Sequence, residues 1–124
     1  MRILVCEDQD AIRHMIETLV KATGHSVTGV ALGAQAVELV LSESFDVLLL
    51  DLMLPGALDG FEVCKRVREN PSSRDLPIVI ISAMDDPESK KRVMELGATA
   101  FYPKPFRPLE LLERINELKH RPQA

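Results

Sequence analysis

The chain has 124 residues, of which 46% are hydrophobic and 27% charged, and its formal net charge is −4 at pH 7. This length and balance are typical of one globular domain built around a single hydrophobic core. The sequence has no basic stripe and no apolar run near the about 20 residues of a membrane span, so we expect no nucleic-acid binding by this domain and no membrane segment.

The N-terminus shows no signal peptide, and the two cysteines, Cys6 and Cys64, form neither a disulfide pattern nor a zinc pattern. We therefore interpret both as reduced packing residues and expect a cytoplasmic location. His14, His25 and His120 have no chemical context that supports a functional role, and we expect them to be ordinary surface residues.

Short apolar strands alternate with segments of helical period along the whole chain. A strand at 3–6 precedes a helix whose apolar positions are 12, 15, 16, 19 and 20. A weaker strand at 27–30 precedes a second helical stripe at 36–41, and the strongest strand covers 45–50. The second half repeats the pattern, with helices at 59–69 and 87–96, strands at 78–81 and 99–102, and a last helix beginning near Pro108.

Five such units predict an α/β fold. We expect a doubly wound, five-stranded parallel sheet with helices on both faces and the flavodoxin-like strand order 2-1-3-4-5, formed by residues 1–124 as one domain. This domain could be the N-terminal part of a longer protein. Pro103 suits an edge strand, where a missing N–H is tolerated.

Polar residues follow four of the predicted strands directly. Glu7 and Asp8 follow the first strand, Asp51 the third, Ser82 the fourth and Lys104 the fifth. The carboxyl ends of parallel strands open onto one edge of the sheet, so these side chains should meet in one shallow pocket. Clustered carboxylates repel one another unless a cation lies between them, and such oxygen ligands suit Mg²⁺.

This arrangement predicts phosphoryl chemistry. A carboxylate beside the metal can attack phosphorus, while Lys104 and the ion offset the charge of the phosphoryl oxygens. Each residue also has a plainer interpretation. Asp8 could cap the first helix, and so could Asp10. Asp51 could be a turn residue, Ser82 could hydrogen-bond to nearby backbone, and Lys104 could be a solvated surface lysine. Four such coincidences at successive strand ends would be improbable, which favours the functional interpretation.

Four segments carry a family resemblance that covers essentially the whole chain: residues 3–8, residues 49–56, Ser82-Ala83, and Gly97-Ala98 through Lys104-Pro105-Phe106. They resemble the CheY-like receiver domains of response regulators in two-component signal transduction.

The resemblance implies a role for each polar residue. Asp51 would be the phosphoacceptor, and Asp8 and Asp51 would bind Mg²⁺ (or Mn²⁺) together with the backbone carbonyl of Met53. Glu7 would contribute through a water molecule.

The resemblance also implies the switch residues. Ser82 would be the switch hydroxyl, Phe101 the switch aromatic and Lys104 the partner of the phosphate, with a cis bond before Pro105 that aims the ammonium. Two features depart from the common pattern: Ala57-Leu58 lengthen the loop after Pro55 by about one residue, and Phe101 replaces a tyrosine.

The implied function is that of a phosphoacceptor switch rather than an enzyme acting on other molecules. It would receive a phosphoryl group from a histidine kinase or phosphotransfer protein and signal to an output domain or downstream protein through its fourth helix, fifth strand and fifth helix. We expect the basic run Lys90, Lys91 and Arg92 to report the state, although a solvated helix face is the alternative. In this family, the residues two positions after the phosphoacceptor and two after the switch hydroxyl can position the water that hydrolyses the aspartyl phosphate. Here both residues are methionine, Met53 and Met84, whose side chains cannot orient water well. The resemblance therefore predicts a long-lived aspartyl phosphate.

Other readings of this topology fit less well. An aspartyl-nucleophile phosphatase needs an acid at position 53, and a flavin site needs a phosphate loop in place of the acids at 7–10. The remaining alternative is a phosphorylation-independent interaction module with the same fold, which usually lacks one of the acids or the lysine.

Overall fold

The computed structural model describes residues 1–119, in which five strands and five helices alternate. The elements are β1 (Arg2–Cys6), α1 (Asp10–Ala22), β2 (Ser26–Val30), α2 (Gly33–Ser42), β3 (Val47–Leu50), α3 (Gly60–Glu69), β4 (Ile78–Ser82), α4 (Pro87–Glu95), β5 (Ala100–Pro103) and α5 (Pro108–Lys119). Every predicted element is present. The expectation for His120 lies outside the described residues.

The strands form one parallel sheet in the order β2-β1-β3-β4-β5, which confirms the predicted fold. β3 begins two residues later than expected, because Asp46 bonds to Arg2 just before the ladder starts at the pair Ile3 and Val47. β5 is an edge strand of the sheet, which confirms the edge position expected for Pro103 from its missing N–H.

Helices cover both faces of the sheet, and each face has its own apolar core. One core contains residues such as Leu4, Leu48 and Ile80, and the other contains their neighbours along the strands, such as Val5 and Leu49. β3 and β4 are buried along their whole length, as expected of central parallel strands. No helix within residues 1–119 combines the length and apolar character needed to cross a membrane.

Both cysteines are buried free thiols in the first of these cores. Burial raises the pKa of the Cys6 thiol to about 12, with a further contribution from Asp51, and burial also raises the pKa of Cys64. Since the thiolate is the reactive form, both thiols should be inert at neutral pH, in agreement with a packing role.

His25 corrects an expectation. It is buried rather than on the surface, whereas His14 is exposed as expected. The pairing of Arg2 with Ser26 places the residue before β2 beside the residue before β1, and the Met1 amine hydrogen-bonds to His25 Nδ1 at 3.1 Å. His25 therefore contributes to the end of the sheet opposite the strand carboxyl ends.

α4 has the poorest apolar face of the helices, with Val93 as its one buried residue. Polar and cation–π contacts supplement it: the Lys90 ammonium lies 5.5 Å from the Phe101 ring centroid, and the Arg92 guanidinium lies 4.1 Å from that of Phe61. Such contacts contribute about 0.5–1 kcal/mol at exposed sites. α4 is thus more weakly packed than the other helices.

Candidate functional site

The sheet register brings the predicted polar residues to one edge. Cys6 pairs with Leu50 at the ends of β1 and β3, and the Asp51 N–H donates to the Cys6 carbonyl at 3.1 Å, so the acids that follow these strands are neighbours. At the other side, the Lys104 N–H donates to the Ser82 carbonyl at 3.0 Å. Backbone pairing therefore places each side chain at this edge.

Three carboxylates meet there. Glu7, Asp8 and Asp51 each offer an oxygen atom, and these atoms lie within 4.8 Å of one another. Glu7 is 2% exposed and Asp51 5%, while Asp8 is more accessible. Such oxygen donors, open to solvent on one side, fit a hard divalent cation that retains part of its water shell.

Lys104 lies among these acids. Its ammonium hydrogen-bonds to Glu7 Oε1 and to Asp51 Oδ2, the latter at 3.0 Å, and its side chain is 13% exposed. Burial raises the pKa of Glu7. Burial alone would lower the pKa of Lys104, but its bonds to the two carboxylates raise it above the ordinary value, so it is a full positive charge.

The Asp51 carboxylate is fixed on both oxygens. Oδ2 contacts Lys104, and Oδ1 accepts the Met53 N–H at 3.1 Å. The second bond is a local turn contact, so the plainer interpretation of Asp51 as a turn residue describes part of what it does. These two bonds together orient the Asp51 carboxylate.

The two switch residues that the resemblance implied, Ser82 and Phe101, lie on β4 and β5. Ser82 is fully buried, and its Oγ accepts the Met84 N–H at 3.1 Å, so its hydroxyl serves nearby backbone in this state. Phe101 packs against one core and Tyr102 against the other, as the alternation of a strand requires. The Lys104-Pro105 bond is cis, as the resemblance implied.

The helix-capping alternative for Asp8 and Asp10 is not what the structure shows. Gln9 is the N-cap of α1 and its side chain makes no capping bond, while Asp10 pairs with Arg13 at 2.5 Å. Asp8 therefore does not cap α1, and its carboxylate is one of the three in the acid cluster.

The longer loop after β3 packs against the start of α2. Leu58 is partly buried against the core, and a Cβ on Gly33 would lie 2.6 Å from the Leu58 carbonyl oxygen. Gly60 allows a second close approach, since its Cβ would lie 2.2 Å from the Asp51 carbonyl oxygen. The supporting roles of Gly33 and Gly60 were not predicted; glycine at a helix start was the available signal.

Known proteins are similar to this chain in sequence and in fold. The chain matches the family model of the response regulator receiver domain over residues 3–116. It is 38% identical to the response regulator MprA of Mycobacterium leprae (strain TN), over 98% of this chain and 52% of that protein. It is 35% identical to the probable transcriptional regulator ycf27 of Cyanidium caldarium, over 98% and 47%. The chain thus spans about half the length of the curated relatives it matches.

Solved structures agree. A putative response regulator from Chloroflexus aurantiacus J-10-fl has a TM-score of 0.90 and 34% identity, with 97% of this chain and 98% of that chain covered. The receiver domain of the sensor histidine kinase PA1611 from Pseudomonas aeruginosa PAO1, which holds a magnesium ion in its active site cleft, has a TM-score of 0.87 and 29% identity, with 94% and 95% covered. This chain therefore belongs to the response regulator receiver domain family of two-component systems.

Proposed function

We propose that this chain is a phosphoacceptor switch that takes a phosphoryl group onto Asp51 in a Mg²⁺-dependent reaction. The observation that carries the proposal is the Asp51 carboxylate itself, which contacts the Lys104 ammonium at 3.0 Å and has two further acids within 4.8 Å. The donor would be a histidine kinase or phosphotransfer protein, and the domain would work in the cytoplasm, alone or as part of a longer regulator.

The acids and one carbonyl would hold the cation. We assign Asp8, Asp51 and the Met53 carbonyl as direct ligands and Glu7 as a ligand through water, with Mn²⁺ as a substitute for Mg²⁺. The magnesium ion in the active site cleft of the Pseudomonas aeruginosa relative supports a divalent cation at this site. When bound, the divalent ion neutralises the clustered carboxylates and the oxygens of the transferred group.

The chain's own residues would do the following in the transfer. An Asp51 carboxylate oxygen forms a bond to phosphorus as the bond from phosphorus to the donor's imidazole nitrogen breaks. Lys104 pairs with the phosphoryl oxygens, for which it must give up part of its present contact with Asp51. Ser82, now bonded to the Met84 amide, turns its hydroxyl to donate to the same oxygens.

The charge of the phosphoryl group would then change the conformation of the surface formed by α4, β5 and α5. Phosphorylation adds about −1.5 to −2 charge units. Movement of Ser82 vacates space into which Phe101 can rotate, and the weakly packed α4 can follow it. We infer a shift between two existing conformations of α4, β5 and α5, which an output domain or downstream protein would recognise.

The experiment that tests the proposal measures intact mass after incubation with Mg²⁺ and acetyl phosphate. We expect the wild-type protein to gain one phosphoryl group, and to gain none when EDTA removes the metal. An unchanged mass with Mg²⁺ present would overturn the proposal and favour a phosphorylation-independent interaction module.

Reversing the charges of the basic run on α4 should separate phosphorylation from output. We expect the triple variant Lys90→Glu/Lys91→Glu/Arg92→Glu to be phosphorylated normally. It should weaken the cellular response, because α4 then presents negative instead of positive charge to the output partner. Loss of the two ring contacts should also cost about 1–2 kcal/mol of stability. Lys91→Glu is the cleaner variant, since Lys91 is exposed and takes part in neither of these ring contacts. An unchanged response in both variants would count against this surface.

The aspartyl phosphate should be long-lived. Met53 is 54% exposed beside Asp51, and Met84 packs against the core, so neither places a polar group where it could orient water. We expect Met53→Asn to speed the loss of the phosphoryl group several-fold, measured by mass after the donor is removed. Met94→Asn, at an exposed methionine on α4, is the control and should not change the rate. Wild-type decay as fast as that of Met53→Asn would refute the idea.

A further inference from the structure

We propose that Arg13 is a positioning residue for the metal site. It holds the turn between β1 and α1 in the shape that presents Glu7 and Asp8 to a divalent cation. This inference rests on the proposed function and adds a residue to it, since Arg13 lies on α1 and reaches the site through the Glu7 backbone rather than through a ligand atom.

The contacts of Arg13 show a built arrangement rather than a solvated side chain. Its Nη1 donates to the Glu7 carbonyl oxygen at 2.9 Å and its Nη2 to Asp10 Oδ1 at 2.5 Å, and its side chain is 15% exposed. Its Nε lies 3.9 Å from Glu17 Oε1. The guanidinium thus joins the end of β1 to the first two turns of α1.

The turn needs this support because its helix lacks an ordinary cap. Gln9, the N-cap of α1, makes no side-chain capping bond, and its backbone N–H donates instead to Glu7 Oε2 at 3.2 Å. The Glu7 carboxylate therefore stabilises the turn by accepting the Gln9 N–H, and Arg13 stabilises it by donating to the Glu7 carbonyl oxygen. Without Arg13, the Glu7 carbonyl would lose its side-chain hydrogen bond from α1, and only the Gln9 N–H bond to Glu7 Oε2 would still brace this turn.

β2 leaves room for the arrangement at Gly29. A Cβ added there would lie 1.9 Å from Glu17 Oε1 and 3.2 Å from Arg13 Cδ. Glycine is unfavourable in the middle of a strand, so its presence at this position has a physical reason in the space that the Arg13 and Glu17 side chains occupy. Gly29 is therefore the close neighbour on β2 of both the Glu17 carboxylate and the Arg13 side chain.

Electrostatics and positioning predict opposite effects when Arg13 is removed. Loss of a positive charge near three carboxylates should tighten Mg²⁺ binding by Coulomb attraction alone. Loss of a positioning residue should weaken it, because groups that orient metal ligands typically contribute a factor of 10–100 in affinity. The direction of the change therefore identifies the role.

The experiment measures the Kd for Mg²⁺ by isothermal titration calorimetry on the full chain. We expect Arg13→Met to raise the Kd roughly tenfold and Arg13→Lys, which keeps the charge and N–H donors but not the planar guanidinium, to raise it less. Gly29→Ala changes no charge but shifts the Glu17 carboxylate, which lies 3.9 Å from Arg13 Nε, and we expect a smaller rise than for Arg13→Met. Arg66→Met removes an exposed arginine that pairs with Glu62 on α3, and it should leave the Kd unchanged.

Two further measurements distinguish positioning from a general loss of stability. Hydrogen exchange at the Gln9 amide should speed up in Arg13→Met without metal, and phosphorylation by acetyl phosphate should be slow at low Mg²⁺ but recover at saturating Mg²⁺. If Arg13→Met does not fold, the more conservative Arg13→Lys decides the question. An unchanged or lower Kd in the folded Arg13 variant would overturn the inference. A wild-type protein that binds no Mg²⁺ would overturn the proposed function as well.

Discussion

Replacing Asp51 with asparagine is expected to abolish phosphorylation by acetyl phosphate while the protein stays folded. An amide nitrogen and oxygen are too weakly nucleophilic to attack phosphorus, so the reacting atom is lost. The fold should persist, because the asparagine oxygen can still accept the Met53 N–H and Lys104, which loses its pair with Asp51, keeps its bond to Glu7. Intact mass measures the phosphorylation, and circular dichroism checks the fold.

Asp46→Asn is the matched control for that variant. Asp46 lies just before β3, at the end of the sheet opposite the acids, where its side chain accepts the Arg2 N–H at 2.7 Å, a bond that asparagine can keep. This variant should be phosphorylated like the wild type. A phosphoryl group found on Asp51→Asn would mean that another residue is the acceptor, and peptide mapping would locate it.

The fold could be predicted from the sequence because its signals are local. Each strand is a short apolar run and each helix an apolar stripe, so alternation alone implied parallel pairing. The meeting of Asp51 with Glu7 and Lys104 also followed, since a residue directly after a buried parallel strand has only one edge of the sheet to occupy.

Other features could not be predicted because they depend on distances between elements. His25 is buried since β2 pairs with β1 in a register that sets it beside Met1, and nothing near position 25 signals this. Arg13 reads as one more charge on an exposed helix face, yet it turns back to the Glu7 carbonyl. Gly60 falls at the start of the helix predicted at 59–69, but its close approach to the Asp51 backbone depends on packing between elements.

Replacing Lys104 with methionine should lower both the stability of the metal-free protein and its rate of phosphorylation. The ammonium contacts Glu7 and Asp51, which are 2% and 5% exposed, and no other cation among residues 1–119 forms an ion pair with either carboxylate. Removing one partner of a buried pair costs about 3 kcal/mol, measured by urea unfolding in EDTA. The rate should fall roughly a hundredfold, as when a donor to the transferred charge is lost.

Magnesium should separate the two effects of this variant. A divalent cation restores positive charge among the carboxylates, so the stability deficit of Lys104→Met should shrink when Mg²⁺ replaces EDTA. The rate deficit should remain, because the pairing of the ammonium with the phosphoryl oxygens is still missing. Lys104→Arg keeps the charge and should recover more of the stability than of the rate, since the planar guanidinium has a different shape. Lys65→Met, at an exposed lysine on α3, is the control. If Lys104→Met were as stable as this control in EDTA, the ammonium would not be neutralising the buried acids.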